Sequence, residues 1–526
     1  MKAALALALA CFASAAAAVD TSPAAEIALD GSTTLSTPDT RVPAGSAGQN
    51  YKLYPDLPSQ WAALKELKEG PGPLKEGSAA PVSKPARPDL WSAGSTGKSY
   101  AIPALEIMGF DLLLNQFNRR YFDCCDYDTS LSSVRRNLRG RWVTDNDPYT
   151  VNQLGHPYQG SMYHGFARSA GLNYWESLGY TFAGSVFWEI AGETTPPSKN
   201  DQIASGIAGS FVGEALFRMS QLVLEQGGGM SPAWRELAAA AISPSTGFNR
   251  WAFGNRFDAI YDSRNAAYYS RLAVGVTHAT QSDPGTSTKS KPTEAIVDFS
   301  LDYGLPGKPG YTYKRPFDYF SFQATASSAN GFDSVLTRGL LFGTDYDVGR
   351  NYRGVWGLYG SYDYIAPQVF RISSTALSLG TTGQWLISKS LALQGTGMVG
   401  AGYASVGTIN GVRDQDYHFG VAPQALLALR LIFGEKASLD LTAREYFVSD
   451  VAADRNGRGG HDNIARADLS FTVRVHKQHA VAVRYLWSRR DANYPVIGDR
   501  SQTRATLGIF YTLLGHDRFG AYDWRE

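Results

Sequence analysis

The chain is poor in cysteine, poor in charge and lacks a long hydrophobic run. Three cysteines in 526 residues, Cys11, Cys124 and Cys125, exclude a small scaffold stapled by disulfides. Cys124 and Cys125 are adjacent, and neighbours bridge each other only through a strained ring. Packed thiols, an intermolecular bond and a metal contact stay open for them. Charged residues make up 18% and balance to +1, so neither a nucleic-acid nor an anionic-surface partner is implied. Past the first turns of the chain, no segment offers the ~18–20 uncharged apolar residues of a spanning helix. What abounds is glycine and aromatics, with 54 Gly, 29 Tyr, 25 Phe and 11 Trp, the composition of a β-barrel.

Residues 1–18 read as a secretory signal peptide. Lys2 supplies the charge, an Ala/Leu core follows, and Ala16 and Ala18 flank the cleavage position ahead of Val19. Cys11 invites a lipoprotein reading, but Ala8 stands where leucine belongs and the apolar run before it is very short. Residues 19–97, with stretches such as "PGPLKEGSAAPVSKPARPDL", bury too little apolar surface to order themselves and read as a disordered periplasmic linker. One short amphipathic helix fits "PSQWAALKELKE", with Trp61, Leu64 and Leu67 on one side.

Residues 98–258 have helical spacing, in "ALEIMGFDLLLNQFNRRYF" and in Tyr158–Gly171, Tyr174–Glu193, Asn200–Gln226 and Ser231–Ile242. Ser198 suits a cap with Asp201 three residues on, and Pro232 suits a first helical position. Small residues recur at close-packing intervals, as in Gly179 and Ala183 or Gly206, Gly209 and Gly213. Within residues 259–526 the period changes to 2 from about Asn265. In "AIVDFSLDY", Val297, Phe299, Leu301 and Tyr303 oppose Asp298, Ser300 and Asp302. About twelve such segments follow, most as long as the ~9–11 residues of a tilted membrane strand. A soluble sandwich would alternate too, but aromatics at strand ends suit interfacial girdles. The register sends Leu469, Phe471, Val473, Leu507, Ile509 and Leu513 toward lipid. It sends Arg271, Arg430, Arg444, Arg474, Arg484 and Arg504 into the lumen with Asp298, Asp302, Asp440 and Asp468.

The run "NQLGHPYQGSMYHGFARSAGLNYWESLGYTFAGSVFWEIAGETTPPSKNDQI", followed by "GSFVGEALFRMSQL", resembles a family of Gram-negative envelope proteins known as domain of unknown function 3943. The resemblance covers roughly residues 140 to 225. It implies an outer-membrane protein with a helical part before a barrel, and brings no reaction and no established functional residue.

The polar candidates of this stretch are His156, His164, Arg168, Glu176, Glu189, Glu193, Asp201 and Glu214. Imidazole binds zinc, and Glu189 or Asp201 could complete a site with the histidines. The chain has no H-E-x-x-H and no cysteine pair of zinc-site spacing, so histidines satisfied by local hydrogen bonds are the plainer reading, and neither a metal nor a cofactor is expected. Ser161, Ser169, His164 and Asp201 supply the residue types of a hydrolase. The G-x-S-x-G elbow is missing. On one continuous helix Glu189 and Glu193 share a face, and Glu176 lies close to it. These acids either face periplasmic water or pair with the inward arginines.

The sequence therefore specifies an α+β chain. An antiparallel transmembrane β-barrel of about twelve strands follows a helical segment that plugs or floors it, with the helix Tyr174–Glu193 in the lumen or across its periplasmic mouth. Its place is the Gram-negative outer membrane, with outer-membrane lipid and the barrel-assembly machinery as partners. Its role is transport, envelope assembly or structure, and the competing class is an outer-membrane lipid hydrolase.

Overall fold

A computed structural model describes residues 97–525 except 122–124, 146, 228, 283–288, 291–292, 367–370, 408–414, 451–458 and 496–497. The signal peptide, the linker with its short helix, Cys11, Cys124 and the Cys125 side chain lie outside the described residues.

Twelve strands form the barrel: β1 Tyr268–Ser282, β2 Thr293–Tyr303, β3 Phe320–Ser327, β4 Ser334–Val348, β5 Tyr352–Ile365, β6 Ile372–Leu386, β7 Leu391–Gly407, β8 Tyr417–Phe433, β9 Ala437–Asp450, β10 His461–His476, β11 His479–Tyr494 and β12 Gly498–Leu514. Each pairs antiparallel with its sequence neighbours, and β1 pairs with β12 from Arg271 opposite Leu514 to Ser282 opposite Thr503. The sheet is therefore closed, as the unbroken dyad pattern predicts, and it leaves no edge to pair with other chains. The connections after β4, β6, β8 and β10 are tight and share one rim with the ends of the barrel chain. Short turns at the rim that holds both ends are the pattern of outer-membrane barrels.

Ion pairs between distant strands identify the lumen face. Arg430 on β8 meets Asp302 on β2 at 3.1 Å, Arg484 on β11 meets Asp298 on β2 at 3.3 Å, and Arg271 on β1 meets Asp440 on β9 at 3.7 Å. Strands so far apart in order touch only across the interior. The alternate residues Leu469, Phe471, Val473, Leu507 and Ile509 are exposed on the outer wall, in the predicted register. At the short-turn rim the tail after β12 folds over the mouth. There Gln394 Nε2 donates to Gly520 O at 2.8 Å, Gln384 Nε2 donates to Tyr522 O, and the Arg474 guanidinium lies over the Phe519 ring.

Among the described residues, seven α-helices of nine or more residues precede the barrel: α1 Ala101–Tyr121, α2 Leu131–Arg139, α3 His156–Ser169, α4 Tyr174–Phe187, α5 Gly209–Gln226, α6 Pro232–Ile242 and α7 Pro244–Phe253. Asn173 caps α4 in a capping box with Glu176, and Pro232 begins α6. Helix α3 crosses α5 and the segment before it through glycine. A Cβ at Gly160 would stand 2.0 Å from Ser205 O, and one at Gly213 would stand 2.8 Å from His164 Cβ. The Gly206, Gly209 and Gly213 spacing is used as predicted, whereas Gly179 faces open space.

The expectation that these helices plug or floor the barrel is corrected by the register. Their apolar core joins Phe211, Ala215, Leu216 and Met219 of α5 to Leu301, Tyr303, Phe322 and Tyr362. Those strand residues alternate with the lumen-facing acids and point outward. The helical domain therefore lies against the outer wall. The lumen needs no helix, because its own arginines and aspartates meet across it.

Helix α1 has an inverted pattern. Leu105, Leu112, Leu113 and Phe117 face outward, with Leu113 73% exposed, while Asp111, Asn115 and Asn118 are buried. A helix in water buries the opposite face.

Candidate functional site

Two buried polar clusters occupy the interior of the helical domain. The first centres on Glu214 of α5, which is fully buried. It accepts from Arg168 Nε at 2.7 Å, from Arg218 Nε at 2.8 Å, and pairs with His164 Nε2 at 3.1 Å. Burial alone would raise its carboxyl, but Arg168, Arg218 and His164 hold it well below the usual carboxylate range. Arg218 also donates to Pro316 O at 2.6 Å and meets Asp318 at 3.3 Å, in the connection between β2 and β3. This network ties α3 and α5 to the barrel. Removing one partner would leave an uncompensated buried charge, a loss of about 3–5 kcal/mol.

The second cluster joins three places where the helices widen to π geometry: Val151–Gly155 before α3, Trp188–Gly192 after α4 and Gln202–Ala208 before α5. Such turns free backbone carbonyls and shift side chains out of α phase. Asn137 of α2 donates to Glu189 O at 3.3 Å and Glu193 O at 3.0 Å, and Asn115 of α1 donates to Gly192 O at 2.8 Å. The buried asparagines of α1 and α2 thus satisfy the widened turn. His156 begins α3, Glu189 lies in the second turn, and Asp201 directly precedes the third. They are 4%, 2% and 1% exposed, and one ligand atom from each lies within 4.8 Å of the other two.

Around them stand more acids. Asp145 accepts from Asn152 at 2.7 Å and Asn200 at 2.8 Å, and its bond with the Asp201 carboxyl, then these two, hold it below its usual range against the effect of burial. Burial, then the neighbouring acids, push Glu189 up to about 9 and Glu193 up to about 7. Burial and Asp145 likewise raise Asp201, while burial lowers His156 to about 4. Among the described residues, no Lys or Arg forms an ion pair with Asp145, Glu189, Glu193 or Asp201.

The other candidates fall apart into separate places. Glu176 bonds Lys98 at 2.8 Å and caps its own helix. Glu193 accepts from Trp188 Nε1 at 2.7 Å. Neither they nor Glu189 pair with an inward arginine. The π turn ends the α phase that would have put the three acids on one face. Ser169 Oγ donates to Gly165 O at 2.6 Å and accepts from Asn249, while His164 engages Glu214 and Thr181. Ser161 Oγ donates to Tyr158 O at 2.6 Å. No serine–histidine pair assembles among them. The sequence set His156, Glu189 and Asp201 aside for want of a known spacing, and the fold brings them together. Asp145, Asn152 and Asn200 were missed, since nothing in their spacing marks them.

The barrel has counterparts among solved structures. The monoaromatic hydrocarbon channel TodX is 10% identical over 48% of this chain and 90% of that one, with a TM-score of 0.20. The outer-membrane channel DcaP of Acinetobacter baumannii is 9% identical over 48% and 99%, at 0.21. Outer membrane phospholipase A from Escherichia coli is 11% identical over 45% and 89%, at 0.22. No curated protein matches the chain. Residues 141–245, which carry the acids and histidines of both buried clusters, match the model of the domain of unknown function DUF3943.

Proposed function

We propose that this protein is a non-conducting outer-membrane barrel that serves as the membrane scaffold for the helical module on its wall, in a structural or assembly role in the envelope. The observation that carries this reading is the lumen, crossed by Arg430–Asp302, Arg484–Asp298 and Arg271–Asp440 and covered at one mouth by the tail. An open diffusive pore needs the opposite arrangement, with charges lining the wall and water between them.

Three features support the membrane setting. The outer wall presents Leu469, Phe471, Leu507 and Ile509, and α1 exposes Leu105, Leu112, Leu113 and Phe117. No described helix is long and apolar enough to cross a membrane, and a closed barrel is a fold that can span one with all its backbone groups paired. Between α5, α6 and the outer wall runs a cleft lined by Leu216, Met219, Leu222, Ile242, Leu272 and Phe299. Its apolar lining suits a lipid acyl chain. Secretion by the N-terminal signal and insertion by the barrel-assembly machinery belong to this reading. Of the serines named for a hydrolase, Ser161 and Ser169 both donate to backbone carbonyls and neither meets His164.

The test is conductance of the purified protein in planar bilayers. The wild type gives no steady channels, while Arg430→Ala with Arg484→Ala, which removes two cross-lumen bridges, produces openings. Stable wild-type channels would refute the scaffold reading.

A further inference from the structure

Two buried atoms of the π-turn cluster, one on His156 and one on Glu189, have no hydrogen-bond partner. His156 Nδ1 lies 3.3 Å from Ser205 Oγ, which leaves Nε2 without a hydrogen-bond partner although the residue is buried. Glu189 Oε2 accepts from the Ser198 backbone N–H at 2.8 Å, which leaves Oε1 without one. Asp201 accepts from Asn200 Nδ2 on Oδ1 at 3.1 Å, and its Oδ2 faces His156 Nε2 at 3.7 Å, beyond hydrogen-bond reach. Buried polar atoms are nearly always paired. Here His156 and Glu189 are each anchored through one atom while the other has no hydrogen-bond partner, and Asp201 bonds both Asn200 and Asp145.

We infer that His156, Glu189 and Asp201 bind a divalent first-row transition ion, zinc by preference. One imidazole and two carboxylates form a mixed nitrogen and oxygen set, which suits zinc, iron(II) or manganese(II). Magnesium and calcium favour all-oxygen sets. A separation of 3.7 Å between Nε2 and Oδ2 is close to that of two ligands about 2.0–2.2 Å from one tetrahedral ion. The outer partners also fit. Metal-bound histidines and carboxylates are oriented by hydrogen bonds through their second atom, and Ser205, the Ser198 N–H and Asn200 are placed to do so here.

Backbone geometry supports the assignment independently. All three ligands lie in or directly beside a π turn, and such turns are frequent at functional sites. The turns belong to three different helical segments, so the ion would join the start of α3, the end of α4 and the start of α5. With all three ligands almost wholly buried, the ion's role is structural.

The test uses the full-length protein purified in detergent without chelators and analysed for metals by mass spectrometry. A dipicolinate-stripped sample is then reloaded separately with zinc, manganese(II), iron(II) or magnesium. About one transition ion per chain is expected, with zinc retained most tightly and magnesium not retained. His156→Ala, Glu189→Gln and Asp201→Asn each lose it, while His278→Ala, at an exposed histidine of β1, keeps it. Stripping also lowers the unfolding temperature of the wild type and leaves that of Glu189→Gln unmoved. Heat-modifiable migration in gels verifies that each variant is folded, and the nearly isosteric Glu189→Gln decides the matter if His156→Ala does not fold. A wild type that retains no transition ion after every loading, or folded Glu189→Gln and Asp201→Asn that bind it like the wild type, would overturn the assignment.

Discussion

Single side chains in this protein are governed by what surrounds them more than by what they are. Asp111 of α1 is buried and bonded by Tyr163 and Gln159, and burial pushes it up to about 8 from its ordinary 3.8. Glu106, one turn earlier, is also pushed up to about 8 by burial. The sign follows directly. An acid whose folded pKa is raised keeps its proton in the folded state while the unfolded chain releases it, so stability falls as pH rises from about 4 to about 8. It then levels off. Every tenfold change in proton affinity between the folded and unfolded chain corresponds to about 1.4 kcal/mol, so the effect of Asp111 is on the order of a few kcal/mol. Thermal unfolding followed by tryptophan fluorescence should find the wild type less stable at pH 8 than at pH 5, with the gap narrowed in Asp111→Asn. An unchanged gap would show that Asp111 ionises normally in the folded protein.

At the scale of elements, strands were far more legible than the helices' arrangement. A strand's faces alternate with a fixed period, so Val297 through Tyr303 and Leu469 through Val473 reveal their register from the sequence. The cap at Ser198 and the first helical position at Pro232 follow local rules and could be read as well. The π turns could not, because one inserted residue leaves no compositional trace yet separates Glu189 and Glu193 from the face of Glu176. What the register could not say was what covers each face. Leu301 and Tyr303 point outward as predicted, but helix α5 covers them instead of lipid. The register makes its own prediction. Phe471→Arg on the exposed outer wall should cost ~2–4 kcal/mol at mid-membrane. Thr442→Arg, which lines the lumen cavity beside Asp302, Asp440 and Asp468, should cost much less. Urea titration of folded protein in lipid vesicles separates the two variants, and equal losses would refute the register.

For the whole molecule, the decisive question is on which side of the wall the helices sit, because an inner plug and an outer buttress imply different uses of one barrel. Charge counting favoured the inside, since inward arginines called for acids and the helices had them. The strands already carried enough: Asp298, Asp302, Asp440 and Asp468 meet Arg271, Arg430 and Arg484. Aromatic contacts then place the helices outside. Trp175 of α4 stacks on Phe342 of the outer wall with ring centres 5.1 Å apart, and Tyr174 stacks on Phe317 at 5.8 Å. Cysteine pairs distinguish the two placements in intact outer membranes, in a background with Cys124 and Cys125 replaced. Trp175→Cys with Phe342→Cys should crosslink through a short bifunctional maleimide, and Glu189→Cys with Arg430→Cys should not. The first pair joins α4 to the outer wall and the second would join it to the lumen. The opposite pattern would return the helices to the interior and, with them, the possibility that their displacement opens a pore.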